Sequence, residues 1–225
     1  MRFLVIDTSG RHGSIALAHA AETGVDVIEL TPLEGGTFSA ELVPKIATLL
    51  RTHHLNKSDV EVFVVVSGPG SFTGLRIGLT VVKGLAEVLK KPIVPVSLLE
   101  AVALAGGGNG RAISAIDAGR GEIYIGEYDI SGSTAKRLAE QLVSKEEFVS
   151  AAAGKTVVTS DAALATMARE NGISVTLIEP VNAGTLAGLG WRKFQSGHTV
   201  APDRLEANYI RRTDAEILLK LASSS

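Results

Sequence analysis

Hydrophobic residues are distributed along this chain in short runs separated by turn-rich polar stretches. Continuous apolar runs at 62–66 and 93–96 read as buried strands, and short runs at 2–6 and 14–18 flank a turn-rich stretch at 7–13, a hairpin. A third strand at 25–30 completes a meander, and 31–36 reads as a loop. A helix is expected over 39–54, with Leu42, Ile46, Leu49 and Leu50 near one face. Pro44 limits its start, as a first-turn residue or as a kink. Three strands, helix, strand, helix, strand make one α/β unit.

The pattern then restarts. A helix at 98–104 and a glycine stretch at 106–110 lead to strands at 112–116 and 122–128 around Asp117. Helices at 145–152, 162–170 and 185–196 alternate with short strands at Val157 and Val175. Both halves open with a hairpin bearing an aspartate at its turn, IDTSGRHGSIAL at 6–17 and AIDAGRGEIYIGEY at 115–128, which indicates an internal duplication. The expected domains are 1–97 and 98–225, the second smaller, with its last segment packing back on the first.

Between the strand at 62–66 and the next helix lies GPGSFTGLRIG, residues 68–78. Such a turn can cradle a phosphate, because glycines admit an anion to the backbone and the first helical N–H groups face it. It can equally admit another protein, or serve as a structural turn. Leu75 and Arg76 follow Gly74 where a P-loop has Lys and Ser/Thr, and the G-x-G-x-x-x-G spacing departs from the dinucleotide fingerprint.

Placed at about 100° per residue, 73–90 puts Thr73, Arg76, Thr80, Lys83, Glu87 and Lys90 on one polar stripe. Leu75, Leu79, Val82, Ala86 and Leu89 line one side, with Ile77, Val81, Gly84 and Val88 nearly opposite. Two apolar sides imply burial against a second layer of the same domain or another chain. Gly74 and Gly78, four apart, would let a neighbouring helix approach closely.

With 225 residues, 45% hydrophobic and 20% charged, the chain can bury a real core as one large or two small domains. No segment approaches the roughly 20 apolar residues of a membrane span, and the N-terminus runs into a strand without a signal-peptide pattern, so a cytoplasmic location is expected. The absence of cysteine excludes disulfides and thiolate chemistry, and the five histidines lack metal-binding spacing, so no metal is expected. A net charge of −2 and 4% aromatics give no basic stripe for independent nucleic-acid binding; Arg211 and Arg212 read as a solvated chain end. Asp7, Thr8, Ser9 and Asp117 could hold a phosphate or hydrated Mg²⁺, although an Asx-type turn explains the same residues. Ser71 and Thr73 suit helix N-caps, and GPGSFTG is not the elbow of a serine nucleophile.

Duplicated units with aspartate-bearing hairpins resemble the actin, Hsp70 and sugar-kinase superfamily, which implies an α/β fold of two tandem ribonuclease-H-like domains, mixed sheets flanked by helices. More narrowly, SGPGSFTGLRIGLTVVKGLA at 67–86 resembles the hallmark of the TsaB family of bacterial tRNA threonylcarbamoyladenosine biosynthesis proteins. MRFLVIDTS at 1–9, PVSLLEA at 95–101, IDAGRGEIYIGEY at 116–128 and NYIRR at 208–212 support it. The resemblance implies a non-catalytic subunit that pairs with the transferase TsaD and, with the ATPase TsaE, supports transfer of threonylcarbamoyl from its adenylate to the adenosine next to the anticodon of ANN-decoding tRNAs. It implies tRNA contact only through the complex, a homodimer when TsaD is absent, no membrane association, and no cofactor in this chain alone, with ATP and Mg²⁺ at the level of the complex. The expected interface is Gly74, Ile77, Gly78, Val81, Gly84, Leu85 and Val88 with Leu42 and Ile46 of the preceding helix; Asp7, Thr8, Ser9 and Asp117 become vestigial. Which side of the 73–90 helix meets the partner stays open.

The chain departs from the family pattern in three places. Phe38 and Ser39 replace a usual His-Ser, and Phe38 reads as packing; Gly119 stands where relatives have arginine, with Arg120 beside it; Thr159, Ser160 and Asp161 occupy the junction where nucleotide-binding members use glycine. Side chains there impede adenine stacking. The competing readings are an ATP-dependent phosphotransferase of the same superfamily and a zinc-type peptidase, which the histidine spacing nearly eliminates.

Overall fold

The computed structural model describes residues 1–22 and 24–210; Arg211 and Arg212 lie outside them. In the first half, β1 (Arg2–Asp7), β2 (His12–Ala21) and β3 (Gly24–Glu34) form a meander, followed by α1 (Phe38–Thr52), β4 (Val62–Gly68), α2 (Phe72–Leu89) and β5 (Ile93–Ser97). After α3 (Leu98–Ala105) the second half repeats the scheme: β6 (Gly110–Gly119), β7 (Glu122–Ser131), β8 (Thr134–Val143), α4 (Lys145–Ala152), β9 (Thr156–Thr159), α5 (Ala162–Glu170), β10 (Ser174–Leu177) and α6 (Ala183–Gln195).

The first sheet has the order β3-β2-β1-β4-β5 and the second β10-β9-β6-β7-β8. Read from β8, the second order is the first with five added to each number, so the duplication seen in the two hairpins extends to whole sheets. In each, the meander is antiparallel and the last two strands join in parallel. Near-continuous apolar sequence in β1 and β4 follows from burial on both faces.

The third helix of each half crosses over. Leu99, Val102 and Ala103 of α3 pack with Tyr124, Tyr128 and Val158 of the second sheet. Ala183, Leu186, Ala187 and Leu189 of α6 join the core of the first, although the sequence groups α6 with the second half. Trp191 and Phe194 of α6 stack on each other and meet Phe3 of β1 at tilted and edge-on angles.

The structure differs from the expected elements at three points and decides a fourth. Residues 31–34 continue β3 instead of forming a loop, because pairing with β2 runs on to His12 opposite Glu34 and buries Leu33. Pro44 lies inside α1, which rules out the first-turn alternative for it and leaves the interior one. The edge strand β8 was not expected, since its largely exposed sequence lacks clear alternation. Leu42 and Ile46 are buried in the chain's own core and form no outer surface of α1; Ala40, Val43 and Ala47 are the exposed apolar residues there.

Helix α2 carries the largest correction. Gly74 and Gly78 do not wait for a partner helix. A Cβ on Gly74 would stand 2.0 Å from the Thr8 carbonyl oxygen, and one on Gly78 2.4 Å from the Thr8 hydroxyl. The close neighbour is therefore the turn between β1 and β2.

Glycine-to-alanine changes in helices ordinarily stabilise, and Gly84 is exposed with nothing near its missing Cβ. Gly84→Ala should raise stability by about 0.4–1 kcal/mol, whereas Gly74→Ala should lower it by about 1–3 kcal/mol. Urea denaturation of both variants checks the opposite signs.

Candidate functional site

The two aspartate-bearing turns face one cavity of about 620 Å³ between the sheets. Arg11 and Ser71 line it from the first half, Asp117 and Arg120 from the second, and Phe72 and Tyr209 from α2 and the C-terminal segment. A volume of this size suits a small ligand.

The polar groups of the first turn point elsewhere. Asp7 Oδ1 accepts the Ser9 backbone N–H at 2.9 Å and the Ser9 hydroxyl at 2.6 Å, an Asx-type turn. The Thr8 hydroxyl donates to the Gly74 carbonyl at 2.7 Å, and the Ser9 carbonyl accepts the Ser71 N–H at 2.7 Å. All three residues are buried, and burial pushes the Asp7 carboxyl above its ordinary range, with the Ser9 bonds opposing. A metal-bound phosphate does not fit this triad, because both hydroxyls are committed within the fold and burial disfavours the ionised carboxylate. Asp117 is exposed on the cavity wall, with Oδ1 accepting the Gly119 N–H at 3.0 Å in the equivalent turn.

The helix starts are likewise self-capped. The Ser71 hydroxyl accepts the Gly74 N–H at 3.3 Å, while Thr73 is exposed and does not cap. At the junction where an adenine would stack, the Asp161 Oδ1 accepts the N–H groups of Ala163 and Leu164 at 2.7 and 3.0 Å. Thr159 is buried, and its hydroxyl accepts the Asp161 N–H at 3.0 Å. Phe38 packs over Gly13 and Gly74 and is buried.

A carboxylate unmarked in the sequence joins the two halves. The Glu140 side chain on β8 is 4% exposed. Its Oε1 accepts the hydroxyls of Ser97, at 2.6 Å, and Tyr128; Oε2 accepts the Asn208 side-chain amide at 2.6 Å, with Arg137 at 3.5 Å. Ser97 also caps α3. Burial, then the Glu140 charge, push the Tyr128 hydroxyl far above its usual range, so it stays protonated and donates.

Beside its polar stripe, α2 carries one partly exposed apolar strip. Ile77, Val81 and Leu85 are half-buried, Gly84 is exposed and Val88 is 73% exposed. On α1, which packs beside it, Val43 is 55% exposed. Of the residues expected at an interface, Gly84 and Val88 are exposed, Ile77, Val81 and Leu85 are half-buried against the chain's own core, and Gly74, Gly78, Leu42 and Ile46 face inward.

The raised Asp7 carboxyl sets a pH dependence. The folded state holds that proton to higher pH than the unfolded chain, so stability falls as pH rises from the ordinary aspartate range, about 4, through the raised value. Asp7→Asn keeps the acceptor for Ser9 and removes the buried charge. Calorimetry from about pH 3 to about pH 8 should show the variant's Tm advantage growing with pH and then levelling off.

Comparison with known proteins accounts for the arrangement. The family model for TsaD, tRNA N6-adenosine threonylcarbamoyltransferase, matches residues 35–215. The chain is 30% identical over 228 residues to the tRNA threonylcarbamoyladenosine biosynthesis protein TsaB of Escherichia coli, covering 96% of each. It is 39% identical over 144 residues to the Bacillus subtilis protein of that name, covering 64% of this chain and 60% of the relative. A solved structure from Pseudomonas aeruginosa, described as an uncharacterized protein with similarity to peptidase YEAZ, superposes with a TM-score of 0.75 at 26% identity, covering 93% of this chain and 99% of that one. Both sheets with their helices are thus ribonuclease-H-like units of the actin type. The chain belongs to the TsaB family of bacterial tRNA threonylcarbamoyladenosine biosynthesis proteins, within the TsaD-like group.

Proposed function

We propose that this chain is a non-catalytic partner that docks on and activates a TsaD-type transferase in forming N6-threonylcarbamoyladenosine on tRNA. The observation that carries this reading is the outer strip of α2. Ile77, Val81, Leu85 and Val88 present apolar surface where a solitary surface helix would be polar. The matched family supplies the transferase as occupant. The inward commitment of Asp7, Thr8 and Ser9 supports the absence of phosphoryl chemistry in this chain. A TsaE-type ATPase, ATP with Mg²⁺ and tRNA then enter at the level of the complex. In the absence of the transferase, two copies of this chain would cover the same strip. No helix among the described residues is long and apolar enough to cross a membrane, and the work of the complex lies with soluble tRNA.

Val81 is half-buried on this strip, so a glutamate there reaches solvent in the free chain but not in the complex. Val81→Glu should abolish co-purification with the transferase while leaving the thermal transition of the free chain nearly unchanged; a normal complex would remove this side of α2 as the interface. Purified alone, the chain should show no substrate-dependent ATP turnover. Turnover would favour a phosphotransferase.

A further inference from the structure

At the cavity end of the α2 strip stands an arginine held in place before any partner arrives. The guanidinium carbon of Arg76 lies 3.7 Å from the centroid of the Phe72 ring, and its Nε donates to the Tyr209 hydroxyl at 3.1 Å. The Phe72 and Tyr209 rings are themselves in contact, with centroids 5.0 Å apart. All three side chains are exposed. Among the described residues no carboxylate pairs with Arg76, and its two terminal amino groups have no acceptor.

Tyr209 is delivered by a strap pinned on both sides. The Asn208 N–H donates to the Ser67 carbonyl at 2.7 Å, and its side-chain amide donates to Glu140 at 2.6 Å. The strap crosses at Gly68, where a Cβ would stand 2.6 Å from the Asn208 carbonyl oxygen. The orientation of Arg76 thus traces through Tyr209 and Asn208 to a buried carboxylate of the second sheet. An arginine normally loses much rotamer freedom on binding; here stacking and the tyrosine bond have already removed much of it.

We propose that Arg76 is the polar anchor of the α2 docking surface, its guanidinium taking a carboxylate of the docking protein while Ile77 and Val81 cover apolar side chains. Tyr209 acts as its positioning residue. The proposal rests on the reading that a TsaD-type transferase docks on α2. A protein carboxylate is favoured over an RNA phosphate because a phosphate backbone calls for several cations, whereas Arg76 borders an apolar strip in a chain of net charge −2. A planar cation beside aromatic and aliphatic neighbours is the usual composition of a protein hot spot.

The test is titration of the full chain with its purified TsaD-type transferase at low and high salt. Arg76→Met, which keeps an apolar stem, should weaken binding about tenfold, and Arg76→Lys nearly as much, since an ammonium lacks the planar fork. Tyr209→Phe should produce a smaller loss, and salt should narrow the gap between wild type and Arg76→Met. Unchanged affinity of Arg76→Met and Arg76→Lys, alongside lost binding by Val81→Glu, overturns the anchor and leaves the docking surface standing. Normal binding by Val81→Glu overturns the docking surface itself. Unchanged protein affinity with weakened tRNA capture by Arg76→Met assigns the arginine to RNA and also overturns the proposal.

Discussion

The first turns of α2 and the turn between β1 and β2 claim nearly the same volume, and they fit together only because residues 74 and 78 have no side chain. Contact at this range converts a steric absence into a polar bond. The Thr8 hydroxyl reaches the Gly74 carbonyl at 2.7 Å. That bond fixes where α2 leaves the sheet and which residues face outward, and it uses up groups that would otherwise be available for an anion. A turn that looks suited to phosphate is instead the seat of a helix.

The second constraint is Glu140. A buried carboxylate is costly unless its lone pairs are occupied, and here three donors and a nearby arginine satisfy it. Two donors come from outside its own sheet: Ser97 at the end of β5 and Asn208 on the strap. Removing the carboxylate would leave those groups without an acceptor at the junction, and the strap would lose the side-chain attachment of Asn208. The position of the cleft wall therefore depends on a residue remote from the cleft.

Much of the fold was legible because burial on both faces writes itself as uninterrupted apolar sequence. Strands β1, β4 and β5 carry such runs, α4 and α5 fall at the expected positions, and the two Asp turns announce the repeat. Strand β8 left no comparable signal, since an exposed edge tolerates Lys136, Arg137 and Gln141, and Glu140 was hidden along with it. The site was legible only in part. Periodicity identified two apolar sides of α2 but does not say which neighbour fills each, so Gly74 and Gly78 read as open to a partner when Thr8 already occupies the space. The cluster of Phe72, Arg76 and Tyr209 joins positions 133 residues apart, beyond the reach of any local pattern.

The crossing of α3 and α6 couples the two halves mechanically. Each sheet is covered by the helix that follows the other sheet. A single unit split from this chain would expose the surface its missing helix covers. The crossed helices therefore tie the two halves together even where their sequences differ.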